Sequence, residues 1–353
     1  MPTPASTLRP AGFHGQGHLR RHAHGRAPRG SYFEGWYVKL VSADRRTRLA
    51  LIPGVFLSED GRIAESFVQV LDGMTGATAY HRFDLAEFEA APDRFAVRVG
   101  PNHFDASGVR VDLPGLRADV RFGPPVAWPV TVREPGAMGW YAWVPTMECY
   151  HGVVSLDHGL AGWIETEAGR ADLVGGRGYL EKDWGTAFPR GYVWIQSNHF
   201  ATPGLSLVAS TALIPWRRSA FRGDLVGLRV PPGGTGPEGG RPEPRLAGLH
   251  RFTSYTRART LALAVEEQHV SWTIGAPDGR ALHLEASVEG RTTGLLHAPV
   301  RTEMHQRVAE TLDGMVTVRL VDSAGRTLLE DAGECAGVEV HGDIAALLAT
   351  PGR

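Results

Sequence analysis

The chain has 353 residues, with 37 Lys and Arg against 38 Asp and Glu and a formal net charge of -1, so it carries no global electrostatic footprint for nucleic acid. A chain this long can bury one large core or two smaller ones. Its 44 Gly and 24 Pro fall between short apolar runs, a punctuation that predicts many short strands joined by turns.

Residues 1–30 are rich in Pro, Gly, Arg and His, lack periodicity, and are expected as a flexible tail. His14, His18, His22 and His24 form a His-rich tract of the kind that can bind metals, but no carboxylate or Cys accompanies them, so no metal site is assigned. From Ser31 the pattern changes. Tyr32 to Leu40 reads as an aromatic strand with Glu34 and Gly35 inside it, and an internal Gly marks a bulge or a close approach by a ligand or another backbone. Strands are predicted at 48–56, 66–71, 78–83, 95–99, 109–113 and 118–122, separated by turn signals such as Asp60-Gly61 and Asp72-Gly73.

Gly123 to Pro145 is rich in Pro and Trp and reads as a loop, either over a barrel mouth or pinned by its own aromatics. A strand beginning at Glu148 mixes that acid and His151 with Tyr150, and a second is predicted over 159–166. Gly178 to Phe200 follows, and it is the most unusual stretch of the chain. Glu181, Lys182 and Asp183 stand against Trp184 and Gly185, then Pro189 to Gly191 breaks the run before Tyr192 to Phe200. A period of two places Tyr192, Trp194, Gln196, Asn198 and Phe200 on one face and Val193, Ile195, Ser197 and His199 on the other. Titratable groups beside large aromatics lose hydration, which is how a carboxyl becomes a proton donor.

The remainder is again alternating: 205–214, 246–256, 261–274, 281–288, 315–320 and 338–340 are expected strands, and 231–244 a mobile Pro- and Gly-rich loop. The whole predicts an all-β protein of two barrel- or sandwich-like units, one over 31–190 and one over 191–353. Cys149 and Cys335 are expected as unpaired thiols. No apolar run is long enough for a transmembrane helix, and the absence of a signal-like apolar stretch predicts a cytoplasmic protein.

The strings YFEGWYVK (Tyr32 to Lys39), ECYHGVVS (Glu148 to Ser155) and GYLEKDWGTAFP followed by YVWIQSNHF (Gly178 to Phe200) resemble the tocopherol cyclase family. That family is distantly related to the carotenoid 1,2-hydratases and to lipocalin-like cyclases. The resemblance implies two lipocalin-like β units packed together, with a hydrophobic pocket at or near their junction. It also implies cyclisation of a prenylated benzoquinol to a chromanol.

Such a reaction protonates a trisubstituted alkene and lets a phenol oxygen capture the tertiary cation, and it requires no cofactor. By the resemblance, Asp183 in the Asp-Trp-Gly segment is the expected donor, with Glu181 as the substitute. Glu34 and Glu148 could orient the phenol, and His151 or His199 could accept its proton. Trp36, Tyr37, Trp184 and Trp194 would stabilise the cation, and Tyr150, Lys182, Gln196 and Asn198 would complete a substrate site. Each has a plainer reading: an ion-pair cluster at a strand corner, satisfied histidines, core tryptophans. A non-catalytic isoprenoid carrier, a hydratase and a polyene cyclase are the competing functions. No Gly-x-Ser-x-Gly elbow or His-Glu-x-x-His motif occurs. The expected partner is a small hydrophobic molecule, with transient membrane-surface contact through 123–145.

Overall fold

The computed structural model describes residues 11–26, 29–216, 219–232 and 246–352. Residues 1–10, and residues 233–244 of the loop expected to be mobile, lie outside the described residues. The architecture is all-β. The chain divides into one unit of residues 1–188 and 294–308 and a second of residues 189–293 and 309–353, so the segment after Thr293 belongs with the first half.

The first unit holds β1 (Tyr32–Val41), β2 (Arg48–Leu57), β3 (Ala64–Asp72), β4 (Thr78–Asp84), β5 (Phe88–Ala90) and β6 (Ala96–Val99). It continues through β7 (Asn102–Asp105), β8 (Gly108–Leu113), β9 (Leu116–Phe122), β10 (Cys149–Thr166), β11 (Gly169–Asp172) and β12 (Arg177–Gly185). These form one sheet in the order β4-β3-β2-β1-β12-β10-β9-β8-β7-β6-β5, with β11 on β10. One buried cluster draws Trp36, Val38, Leu51 and Leu180 together with Val99, Phe104, Val111 and Ile164. Side chains from both halves of the sheet therefore enter a common core.

The two strands expected at 148–154 and 159–166 are a single 18-residue strand, β10. Its register on β12 shifts between Val153 and Ser155 and again between Ser155 and His158. Such bulges break the period of two without ending the ladder, which is why the sequence reads as two strands.

Residues 11–26, expected within a flexible tail, are ordered. Phe13 packs edge-on to Phe88 at 5.3 Å, the Trp36 indole donates to the Ala11 carbonyl at 3.1 Å, and helix α1 (Gln16–Ala23) follows. Composition hid this because the segment is held by contacts distant in sequence rather than by its own propensity.

The second unit contains β13 (Gly191–Ser197), β14 (His199–Phe200), β15 (Ser206–Trp216), β16 (Ser219–Val230), β17 (Gly248–Thr253), β18 (Arg259–Val265), β19 (His269–Gly275) and β20 (Ala281–Ser287). β21 (Gly294–Pro299) and the first residues of β22 (Met304–Val321) belong to the first unit, and the rest of β22, β23 (Thr327–Gly342) and helix α2 (Ile344–Ala349) to the second. The sheet order is β17-β16-β15-β13-β23-β22-β20-β19-β18, around a core of Val193, Ile195, Phe252, Trp272, Leu284 and Val318. Phe200 joins this core, although strict alternation from Tyr192 places it on the other face. The strand is interrupted at Asn198, where the alternation restarts. Among the described residues no helix is long and apolar enough to cross a membrane.

Candidate functional site

Strand β12 lies between β1 and β10 in antiparallel register, with Gly35 and His151 opposite Asp183, Tyr37 opposite Glu181, and Trp36 opposite Lys182. Because successive side chains leave a strand on opposite sides, Tyr179, Glu181 and Asp183 share one face with His151 while Lys182 and Trp184 share the other with Glu34 and Trp36. The sequence cluster Glu181-Lys182-Asp183 is thus two separate sites, back to back.

The core-facing site is an ion pair. Lys182 Nζ lies 2.6 Å from Glu34 Oε1, and both side chains are completely buried. Lys182 also donates to the Gly12 carbonyl, and its Nζ is 2.6 Å from His14 Nδ1. Glu34 accepts the backbone N–H of His14 at 3.0 Å and that of Gly15 at 3.1 Å, and the Tyr32 hydroxyl. Burial alone would raise the Glu34 carboxyl, but the Lys182 ammonium and the His14 donors overcome it and hold it at about 2. Burial lowers the Lys182 ammonium to about 8, against the pull of Glu34 and Asp183.

Trp184 and Trp36 surround this cation, with ring centroids 4.4 and 5.1 Å from Nζ. His14 stacks on Trp184 at 4.3 Å, and Tyr150 stacks at 5.3 Å. Two of the three tryptophans expected to stabilise a substrate cation therefore enclose the protein's own ammonium. Glu34 is consumed by the same ion pair, which gives it and Lys182 a structural task.

On the opposite face, His151 Nδ1 is 2.9 Å from Asp183 Oδ1, and His151 Nε2 is 3.5 Å from Glu181 Oε2. The Tyr179 hydroxyl donates to the same Glu181 carboxylate from a fully buried position, and burial together with that negative charge raises the phenol far above its ordinary value. The chain Tyr179–Glu181–His151–Asp183 runs from the interior to Asp183, whose side chain is 23% exposed.

Gly35 stands across from Asp183, and a Cβ built there would meet nothing nearer than Ile52 Cγ2 at 3.6 Å. The absent side chain leaves room beside the acid. On the same side, Phe33, Phe56, Phe67 and Met304 form an apolar cluster, against which Tyr80, Phe188 and Cys149 pack. Burial and the neighbouring carboxylates push the Cys149 thiol well up, so it is a poor nucleophile, and neither Cys149 nor Cys335 is in a disulfide.

Glu148 is half-buried, 3.8 Å from Arg301, and burial raises its carboxyl. Trp194 and Gln196 lie in the second unit, where β13 and β23 bring Tyr192 onto Glu339 at 2.6 Å. Glu310, fully buried and opposite Glu339 on β22, joins that face and stands in a stretch where no site residue was expected. His199 and Asn198 are buried in the second unit too.

Among the described residues, His151, Glu181 and Asp183 are the group that could hold a metal ion, with one ligand atom of each within 4.8 Å of the others. The same atoms already pair with one another.

Two antiparallel β units, one bearing a histidine between two carboxylates beside an aromatic cluster, define a lipocalin-like all-β protein. The crystal structure of CghA with Sch210972 has a similar fold, at a TM-score of 0.53 and 10% identity, covering 88% of this chain and 89% of that one. Residues 108–228 match the family model for tocopherol cyclase-like proteins. The probable tocopherol cyclase of Oryza sativa subsp. japonica is 37% identical over 73 residues, 20% of this chain and 15% of that protein. The tocopherol cyclase of Zea mays is 37% identical over 87 residues, 24% of this chain and 18% of that protein. The matched part of the chain thus spans less than a fifth of the length of these curated relatives. The family segment includes Glu148, His151, Glu181 and Asp183; Tyr32 to Lys39 lies outside it.

Proposed function

We propose that the protein is an acid-catalysed cyclase acting on a prenylated benzoquinol or a related isoprenoid phenol, with Asp183 as the proton donor. The observation that carries this reading is the pairing of a partly exposed Asp183 with His151 and the buried Glu181, beside an open glycine and an aromatic cluster.

His151 holds Asp183 Oδ1, which leaves Oδ2 to carry a proton to the alkene. Protonation breaks the O–H bond, forms a C–H bond at the less substituted alkene carbon, and leaves a tertiary cation. The phenol oxygen attacks that cation, and its proton returns to the Asp183 carboxylate, directly or through His151. Atoms and charge balance as an isomerisation. Glu181 and Tyr179 fix the imidazole and set how many protons the chain of groups holds. Phe33 and the rings around it supply π faces for the cation, each worth ~0.5–2 kcal/mol. The matched relatives support a chromanol-forming reaction, and the exposed Val132 and Trp140 would meet the membrane in which such a substrate dissolves.

Purified protein incubated with a prenylated benzoquinol should yield an isomeric chromanol enriched in one enantiomer, resolved by chiral chromatography. Asp183→Asn should lower turnover by ~10²–10⁴-fold with substrate binding retained. Saturable binding without turnover in the unmodified protein would replace this reading with that of a carrier. A product heavier by one water would make it a hydratase with the same acid.

A further inference from the structure

The first 33 residues contain no Asp or Glu, yet they carry five Arg and four His. Glu34, the first acid of the chain, is fully committed to Lys182 and the His14 and Gly15 amides. The segment therefore holds no acid of its own, and the acid that follows it is committed elsewhere.

That charge converges on a cavity. A cleft of about 280 Å³ is lined on one side by His18, Arg21, His22, Arg26 and Arg29, and on the other by the turn between β2 and β3. The acid lining it is Asp60. Its Oδ1 accepts from Ser58 Oγ at 2.6 Å and from the Arg62 amide at 3.0 Å, and its Oδ2 faces the Arg62 guanidinium at 3.5 Å. Asp60 thus serves its own turn. His18 lies against Tyr32, ring to ring at 4.3 Å, so the cleft wall is anchored to β1. Burial, and then the positive charges of Arg29 and Arg21, lower the His18 imidazole, as expected where the local potential is positive. Three guanidiniums brought to one concavity repel each other, and an anion seated among them offsets that cost. Guanidinium forks match phosphate oxygens in two-point hydrogen bonds.

We propose that the cleft between α1 and the β2–β3 turn is a binding site for a phosphate-bearing anion, gripped by Arg21, Arg26 and Arg29. The site is independent of the chemistry at Asp183. The phosphate can belong to a small diphosphate or to the headgroup of an anionic lipid.

The test uses the full chain. Sodium pyrophosphate is titrated by calorimetry, and vesicles of phosphatidylcholine with and without phosphatidylglycerol are used in flotation. The double substitution Arg26→Gln/Arg29→Gln alters two exposed side chains of the cleft, and Arg20→Gln alters an exposed cation on the same helix that does not line it. The expected result is saturable binding of pyrophosphate, or flotation that requires phosphatidylglycerol. The double variant should weaken it by at least about tenfold while Arg20→Gln leaves it within about twofold. Pyrophosphate binding assigns a free phosphate ligand, and flotation alone assigns a headgroup. Binding of neither, or equal loss in Arg20→Gln, would mean diffuse surface charge and overturn the site. Thermal melts of each variant confirm that the fold is intact.

Discussion

Replacing Glu34 by Gln removes the counter-charge of a lysine that has no contact with water. At 2.6 Å and an effective dielectric near 20, the Glu34–Lys182 attraction is about 6 kcal/mol, most of it offsetting the desolvation of the two ions. Glutamine keeps the volume but presents an NH₂ group where the His14 and Gly15 amides both need an acceptor. Stranding one ion of a buried pair costs about 3–5 kcal/mol, a large part of the stability of an ordinary domain. Urea unfolding of Glu34→Gln at pH 7 should show that loss.

The sign of the pH dependence gives a second readout. The folded carboxyl titrates at about 2 against an ordinary 4.5, so its stabilisation is complete above pH 4.5 and is lost as pH falls toward 2. The interval corresponds to about 3 kcal/mol, and this acid-side slope should be missing from Glu34→Gln. A double replacement, Glu34→Leu with Lys182→Met, should recover much of the single-variant loss, because a buried pair exchanged for apolar side chains is near neutral. A Glu34→Gln loss under about 1 kcal/mol with the acid slope unchanged would refute the assignment of this pair as the anchor of residues 12–15.

His158 is held neutral by burial, titrating at about 4, so the unfolded chain takes up a proton that the folded one refuses. Stability should therefore fall by up to about 3 kcal/mol between pH 6.5 and 4, and His158→Gln should flatten that component in pH-dependent melts. Gly35→Ala should fold normally, since its Cβ meets only ordinary contacts, whereas Gly35→Leu should keep the melting temperature within a few degrees and lower turnover at least tenfold by filling the space beside Asp183. Tyr179→Phe withdraws the hydroxyl that donates to buried Glu181 and should cost about 1–3 kcal/mol in urea midpoint, with a changed pH–rate profile.

The period of two makes much of the site legible before any coordinates. It separates Glu181 and Asp183 from Lys182, and the expected break at Pro189 to Gly191 follows the end of β12 at Gly185. What the sequence conceals is partnership. Nothing local says that His14, 168 residues from Lys182, completes the lysine's shell, because that contact depends on how the sheet closes. Trp36 and Trp184 read equally well as a wall for a substrate cation or for a lysine, and composition does not say which cation is present. A readable signal was also present: Tyr32-Phe33-Glu34 and Tyr179-Leu180-Glu181 share one spacing, and each places a phenol on a carboxylate two residues away. Glu310 had no such cue, since the acid opposite it, Glu339, lies on the next strand rather than two residues away.

Alternation along β12 has a consequence for how the protein can change. Its even positions, Leu180, Lys182 and Trp184, serve cohesion, and its odd positions, Tyr179, Glu181 and Asp183, face the candidate chemistry. A saturation library over these six codons should split by parity: even-numbered substitutions should lower the abundance of folded protein, while at Asp183 the loss should be of product alone. Variation at Gly35, opposite Asp183, therefore offers a route to new substrates that leaves the scaffold untouched.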